Sequence, residues 1–152
     1  VYGMKTARND YDKFNTDAEL RPVLSLKARV SSVREIKAGE SVGYGLAFTA
    51  ERDMKIAALS IGYADGLPRA LSGGVGKVLI NGERAPIIGR VCMDQTIVDI
   101  SGAAEVCAGD TAVIIGKSGN DEISAYEIAE DAGTITNEIL SRLGTRLTRV
   151  ML

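Results

Sequence analysis

Apolar and polar residues alternate along much of this chain with a period of two, which is the pattern of strands buried on one face. The first such stretch runs from Val23 to Val33, where Val23, Leu24, Leu26, Ala28, Val30 and Val33 are separated by Ser, Lys and Arg. Lys37-Ala38-Gly39-Glu40 predicts a turn, and Val42 to Thr49 reads as the returning strand. Lys55 to Ile61 is a nearly continuous apolar run, long enough for a strand and too short for a typical helix. Two further runs, Lys77 to Ile80 and Ala85 to Val91, flank Asn81-Gly82. Both of those residues tolerate positive φ, so the pair predicts a tight hairpin. Gln95 to Ile100 and Thr111 to Ile115 are Ile- and Val-rich strands, set apart by Gly102 and Ala108-Gly109-Asp110.

The period changes near the end of the chain. Ser124-Ala-Tyr-Glu127 has the spacing of a capping box, and a short helix is expected from it to Gly133. A second helix, capped by Thr134 or Thr136, places Ile139, Leu140 and Leu143 on one face before Gly144. Arg146 to Leu152 reads as an edge strand or tail. Many short strands with helices only at the end predict a mainly β fold, an antiparallel barrel or sandwich with two short helices near the C-terminus. Residues 1–22 are polar and lack either period, so they read as a connection from something upstream, with the β-domain spanning 23–152.

Composition narrows the function classes. A chain of 152 residues with 45% hydrophobic and 25% charged residues is long enough for one self-supporting core. The 18 basic residues are offset by 20 acidic ones and do not cluster with aromatics, which argues against a nucleic-acid partner. No apolar run reaches the roughly 20 residues of a membrane span, so no membrane contact is expected from this segment. Cys92 and Cys107 have neither metal spacing nor a disulfide framework, and they read as reduced packing residues in a cytoplasmic protein. Histidine is absent, which removes Ser-His and Cys-His nucleophile pairs. Asp121, Glu122, Glu127 and Glu130 lack calcium-loop spacing and read as a solvated face. Gly73-Gly-Val-Gly76 reads as a flexible link, since no helix N-terminus follows it to make a phosphate cradle.

Two segments put polar or aromatic groups at the ends of apolar runs. They are Ser60-Ile-Gly-Tyr-Ala-Asp-Gly-Leu-Pro-Arg69 and Gly89-Arg-Val-Cys-Met-Asp-Gln95. With Ser41-Val-Gly-Tyr44-Gly45 upstream and Gly133-Thr-Ile-Thr-Asn-Glu138 downstream, the set resembles the C-terminal β-domain of alanine racemases, which use pyridoxal phosphate. On the bare sequence, Tyr44 is a surface or packing aromatic and the charged residues are a surface ion-pair cluster. The resemblance implies more. Tyr44 matches the tyrosine of the family's Val-Ser-Tyr-Gly motif, which exchanges the substrate α-proton on one face, although Gly43 stands where the family has serine. A racemase needs an acid/base group on each side of one carbon, because a single group returns its proton to the side it came from.

Tyr63, Arg69, Arg90 and Asp94 match residues lining the family's substrate entrance. Arginine there would attract a carboxylate, and the aspartate would counter an ammonium. Met93 matches the methionine whose backbone N–H contacts the substrate carboxylate, while core filling is its plain alternative. Asn137 departs from the family's Thr-Ile-Asn-Tyr-Glu segment, whose tyrosine sits beside the cofactor phosphate and the substrate side chain. An amide is smaller than a phenol and can hydrogen-bond a substrate hydroxyl, so Asn137 implies use of serine as well as alanine. It is the substitution of the VanT-type membrane-bound serine/alanine racemases of glycopeptide-resistant bacteria. A parent of that type would work on the cytoplasmic side of the membrane.

The family's cofactor lysine belongs to an N-terminal (β/α)8 barrel, and none of the seven lysines here has a matching context. The resemblance therefore implies a part of a longer enzyme, active as a homodimer in which each β-domain completes the second subunit's site. The isolated chain is expected neither to hold pyridoxal phosphate nor to racemise alanine or serine. Two alternatives remain: from the residues, a non-catalytic β-barrel that binds a partner, and, from the resemblance, the β-domain of a related decarboxylase that uses a catalytic cysteine in a setting neither cysteine here matches.

Overall fold

The architecture closes on its first strand. In the computed structural model, residues 21–151 and Gly3 are described, so most of the expected connection over 1–22 lies outside the described residues. Strand β1 (Leu26–Ile36) is divided between two neighbours. Its first half runs antiparallel to β8 (Thr111–Ser118), with Leu26 opposite Ile115 and Arg29 opposite Thr111. Its second half pairs with β4 (Met54–Leu59), from Val30 opposite Leu59 to Ile36 opposite Met54. The register shifts between Val30 and Ser32, and such an irregularity bends a strand and lets it serve two partners. The remaining order runs from β4 through β7 (Thr96–Asp99), β6 (Glu83–Ile88) and β5 (Lys77–Ile80) to β8 and back to β1. The result is a six-stranded antiparallel barrel.

Its core follows from alternation. Ala57 and Leu59 of β4, Ala85 and Ile87 of β6, and Val98 of β7 join Leu26, Ala28 and Val30 in one large cluster. The opposite parity, Met54, Ile56 and Ile88, forms a second cluster with Ile36, Val42 and Ala50, flanked by Phe48 and Ile97. This accounts for the continuous apolar run at 55–61, since both faces of β4 are covered.

Val42 and Phe48 come from a segment expected to be one returning strand over Val42 to Thr49. It is instead a miniature hairpin, β2 (Ser41–Val42) with β3 (Phe48–Thr49), paired to itself around a 3-10 turn at Tyr44–Leu46. The reason is backbone conformation: Gly43, Gly45 and Leu46 all have positive φ, which no ladder strand accommodates. The hairpin at Asn81-Gly82 is as expected, with φ of 52° and 86° and Ile80 opposite Glu83.

After β8 the chain makes β9 (Asp121–Ile123), a strand the sequence pattern did not disclose, then α1 (Ala125–Asp131) and α2 (Thr136–Ser141). Ser124 caps α1, its Oγ accepting the Glu127 N–H at 3.2 Å. The reciprocal half of the box is replaced, because the Glu127 carboxylate accepts from Arg84 Nη1. Arg84 Nε also donates to Asp121 at 2.6 Å, so these acids are a cation's ligands rather than a plain solvated face. At α2 neither threonine caps through its side chain; Ile135 holds the N-cap position and the Thr134 hydroxyl bonds the Glu138 carboxylate. Beyond α2 the described residues of the tail form no strand.

The Arg84 fork makes stability depend on acid. The guanidinium holds the Asp121 carboxyl below the usual carboxylate range, through its hydrogen bond first and the Glu122 N–H second. A group whose folded pKa is depressed contributes stability above its unfolded pKa, and that contribution is lost as pH falls through the folded one. The urea midpoint of Arg84→Gln should therefore lie below that of the unmodified chain at pH 7. The gap should narrow progressively below about pH 4. A gap that stays constant down to pH 2 would assign the effect to packing.

Candidate active-site rim

At one end of the barrel, where β4 leaves and β7 begins, two loops are sewn together by their backbones. Tyr63 N–H donates to the Cys92 carbonyl at 2.9 Å, Ala64 N–H to the Met93 carbonyl at 3.0 Å, and Cys92 N–H to Gln95 at 2.9 Å. The approach is so close that a Cβ built on Gly62 would stand 2.3 Å from both the Cys92 and the Met93 carbonyl oxygens. Gly62 has extended backbone, so absence of a side chain is the reason for glycine there. Gly66 instead has φ of 106° and packs against the Arg142 carbonyl, which seats the end of α2 behind the Tyr63 turn. Asp65, 7% exposed, accepts the Gly62 N–H at 3.0 Å and fixes the turn from within. Thr96, fully buried, donates its hydroxyl to the Ile61 carbonyl at 2.7 Å, joining the feet of both loops.

The miniature hairpin delivers Tyr44 to the same end. Gly43 (φ 82°, ψ 172°) occupies a region open essentially only to glycine, and Leu46 N–H closes the turn onto the Gly43 carbonyl at 3.0 Å. Tyr44 is 71% exposed, and with Tyr63, Arg69, Cys92, Met93 and Asp94 it lines one depression of about 580 Å3. Arg69 lies over the Tyr63 ring at 5.7 Å from its centroid, a cation–π distance. Arg90 is outside the lining; its guanidinium rests against the Tyr44 turn, 3.1 Å from where a Cβ on Gly45 would be. Met93 is half exposed, and its N–H makes no backbone hydrogen bond among the described residues, while its carbonyl holds Ala64.

Of the residues named from sequence, Tyr44, Tyr63, Arg69, Met93 and Asp94 are thus brought together and Arg90 stands beside them. Asn137 is apart: it is exposed on α2 and does not line the depression. Sequence reasoning missed Asp65 and Arg146. Arg146 donates to Asp94 at 2.5 Å and stands 3.3 Å from Asp65, and the Asp94 bond first, then the Asp65 field, holds its pKa above the usual guanidinium range. The Gly62-x-x-Asp65 spacing is a local signal for the turn, whereas nothing near Arg146 in sequence points to its partners. Cys92, read as a packing residue, is half-buried and faces the depression. No three potential metal-ligating side chains gather among the described residues.

Residues 23–151 match the family described as "Alanine racemase, C-terminal domain". The chain belongs to this family. Among its relatives, an amino-acid racemase of Enterococcus faecalis is 52% identical over 147 residues, covering 97% of this chain and 20% of that protein. An alanine racemase of Halothermothrix orenii is 44% identical over 149 residues, covering 98% of this chain and 38% of the relative. The structure of the alanine racemase from Bacillus anthracis with bound L-Ala-P superposes with a TM-score of 0.86 at 36% identity, over 96% of this chain and 36% of that one. That of Bartonella henselae, with covalently bound pyridoxal phosphate, gives 0.81 at 37% identity, over 90% of this chain and 37% of the other. This member of the family thus spans less than two fifths of the length of each of these relatives.

Proposed function

We propose that this chain is the C-terminal β-domain of a racemase acting on alanine and on serine, and that it supplies one proton-carrying group and the substrate entrance. The observation that carries the proposal is the exposed Tyr44, held at the depression shared by Tyr63, Arg69 and Met93 on a turn built of left-handed residues. In this reading the Tyr44 hydroxyl moves a proton to or from the substrate α-carbon on one face. The Met93 N–H donates to the substrate carboxylate, and Arg69 and Arg90 draw that carboxylate in.

The described residues of this chain do not by themselves fit pyridoxal phosphate, because no lysine among them lines the depression. The group, which supplies an electron sink for the α-carbanion when bound, is assigned to an N-terminal barrel outside this chain. That barrel, and a second subunit whose site this rim completes, are the proposed partners in a homodimer. The group opposite Tyr44, and whatever makes its phenol basic, belong to that barrel as well. Isolated, the chain is expected to be inactive.

The serine part rests on the family resemblance at Asn137, which lies exposed at the start of α2 outside the depression of this chain. The share of the Enterococcus faecalis relative that is matched, 20% against 38% for the alanine racemase, supports a longer parent that carries a further domain. A membrane-bound parent of the VanT type, with this domain on the cytoplasmic side, is the form proposed. Racemisation of L-alanine and L-serine by the full-length protein, followed by circular dichroism, tests the whole. Asn137→Tyr should lower the serine-to-alanine ratio of kcat/KM by about tenfold, the worth of one hydrogen bond to a hydroxyl. An unchanged ratio refutes the serine assignment, and absence of both activities refutes the racemase.

A further inference from the structure

The charges around the depression are unevenly paired. Arg69 and Arg90 have no acidic partner among the described residues. Asp94, the carboxylate in the lining, is met by Arg146 Nη2 at 2.5 Å. The Nε of the same guanidinium is 3.3 Å from Asp65, which is buried and anchored to the Gly62 N–H. One planar fork thus spans a fixed carboxylate in the Tyr63 turn and a free-standing one in the Met93 loop, and its single positive charge stands beside both.

We propose that Arg146 is a positioning residue that masks the Asp94 carboxylate, so that the entrance presents Arg69 and Arg90 to an arriving carboxylate. Asp94 then does not counter a substrate ammonium, the part its place in sequence implied for it. The inference rests on the racemase reading for the identity of the substrate, though not for the electrostatics. Without Arg146, an unmasked negative charge stands in the wall of the depression and opposes the field of the two arginines. Removing Asp94 as well cancels that charge. A residue acting only as a tether behaves in the opposite way, because the double replacement loses as much as the single one.

The probe is acetate, titrated at low salt into the 152-residue chain while the amide resonances of Tyr63 and Met93 are followed. The unmodified chain is expected to show saturable shifts, Arg146→Met to bind several-fold more weakly, and Arg146→Met with Asp94→Asn to return to within about twofold of the unmodified chain. Arg146→Lys keeps one positive charge beside Asp94 and is expected to bind as the unmodified chain does. It remains readable if the methionine variant fails to fold. No acetate binding, equal binding by Arg146→Met, a double variant as weak as the single one, or weak binding by Arg146→Lys each overturns the proposal. In the full-length protein the same series should raise and then restore the KM for alanine with kcat kept. Inactivity there alongside the acetate pattern would sink the racemase and leave the masking intact; racemisation without the pattern would do the reverse.

Discussion

Gly62→Ala is expected to lower the stability of the chain by about 3 kcal/mol or more, the scale of the most damaging single substitutions. The methyl group has nowhere to go. Its two neighbours at 2.3 Å are carbonyl oxygens, and both carbonyls already accept the hydrogen bonds that bind the loops together. Relief requires that the Cys92 and Met93 backbone withdraw from Tyr63 and Ala64, which breaks those bonds and opens the feet of β4 and β7. Gly102→Ala is the matched control, because a Cβ there meets nothing within 4 Å. Urea denaturation of both variants checks the expectation; equal midpoints would show that the rim yields freely. On the proposed racemase reading, Gly62→Ala in the full-length protein should also depress racemisation more than its loss of folded fraction accounts for, since the displaced loop carries Met93.

In the role proposed for Tyr44, Tyr44→Phe should do the reverse, leaving stability within about 0.5 kcal/mol and lowering turnover. The ring is exposed and its hydroxyl donates no hydrogen bond within the described residues, so the fold does not depend on it. Loss of a positioned acid/base group costs about 10^2 to 10^4 in rate, and that is the fall expected in the full-length protein. A sharper signature lies in isotope exchange. If Tyr44 serves one face of the α-carbon, its removal abolishes inversion, yet one enantiomer should still wash its α-hydrogen into solvent through the group opposite. Exchange lost equally from both enantiomers would mean that Tyr44 supports binding rather than proton transfer.

Much of the barrel could be read before any coordinates, for reasons visible in particular residues. The Asn81-Gly82 turn was plain because only backbone with positive φ fits it, and β1, β4 and β8 were plain because their side chains alternate or form a run. The Tyr44 hairpin was not. Val42 and Phe48 have strand-like character, and only the left-handed backbone of Gly43, Gly45 and Leu46 between them breaks the strand in two. β9 was hidden because Asp121 and Glu122 are poor strand formers, and its pairing depends on β8 together with the pull of Arg84 from the neighbouring hairpin. Within the rim, the position of residues at adjacent strand ends was legible from their own segments, their roles only through the family resemblance. Arg146 was not, because its significance comes from Asp65 and Asp94, which only folding brings to it.

The divided pairing of β1 bears on how the chain acquires its shape. The β5–β6 hairpin and the β8–β9 hairpin join residues close in sequence and can form early, at little entropic cost. Sealing the ring sets Leu26 opposite Ile115, so nearly the whole domain has to be synthesised and roughly assembled before its opening strand finds a second neighbour. Such distant contacts slow folding. Until then the unpaired backbone edges and apolar inner faces of β1 and β8 stay open to the wrong company, and production of this domain should be limited by that waiting time rather than by the resilience of the finished barrel.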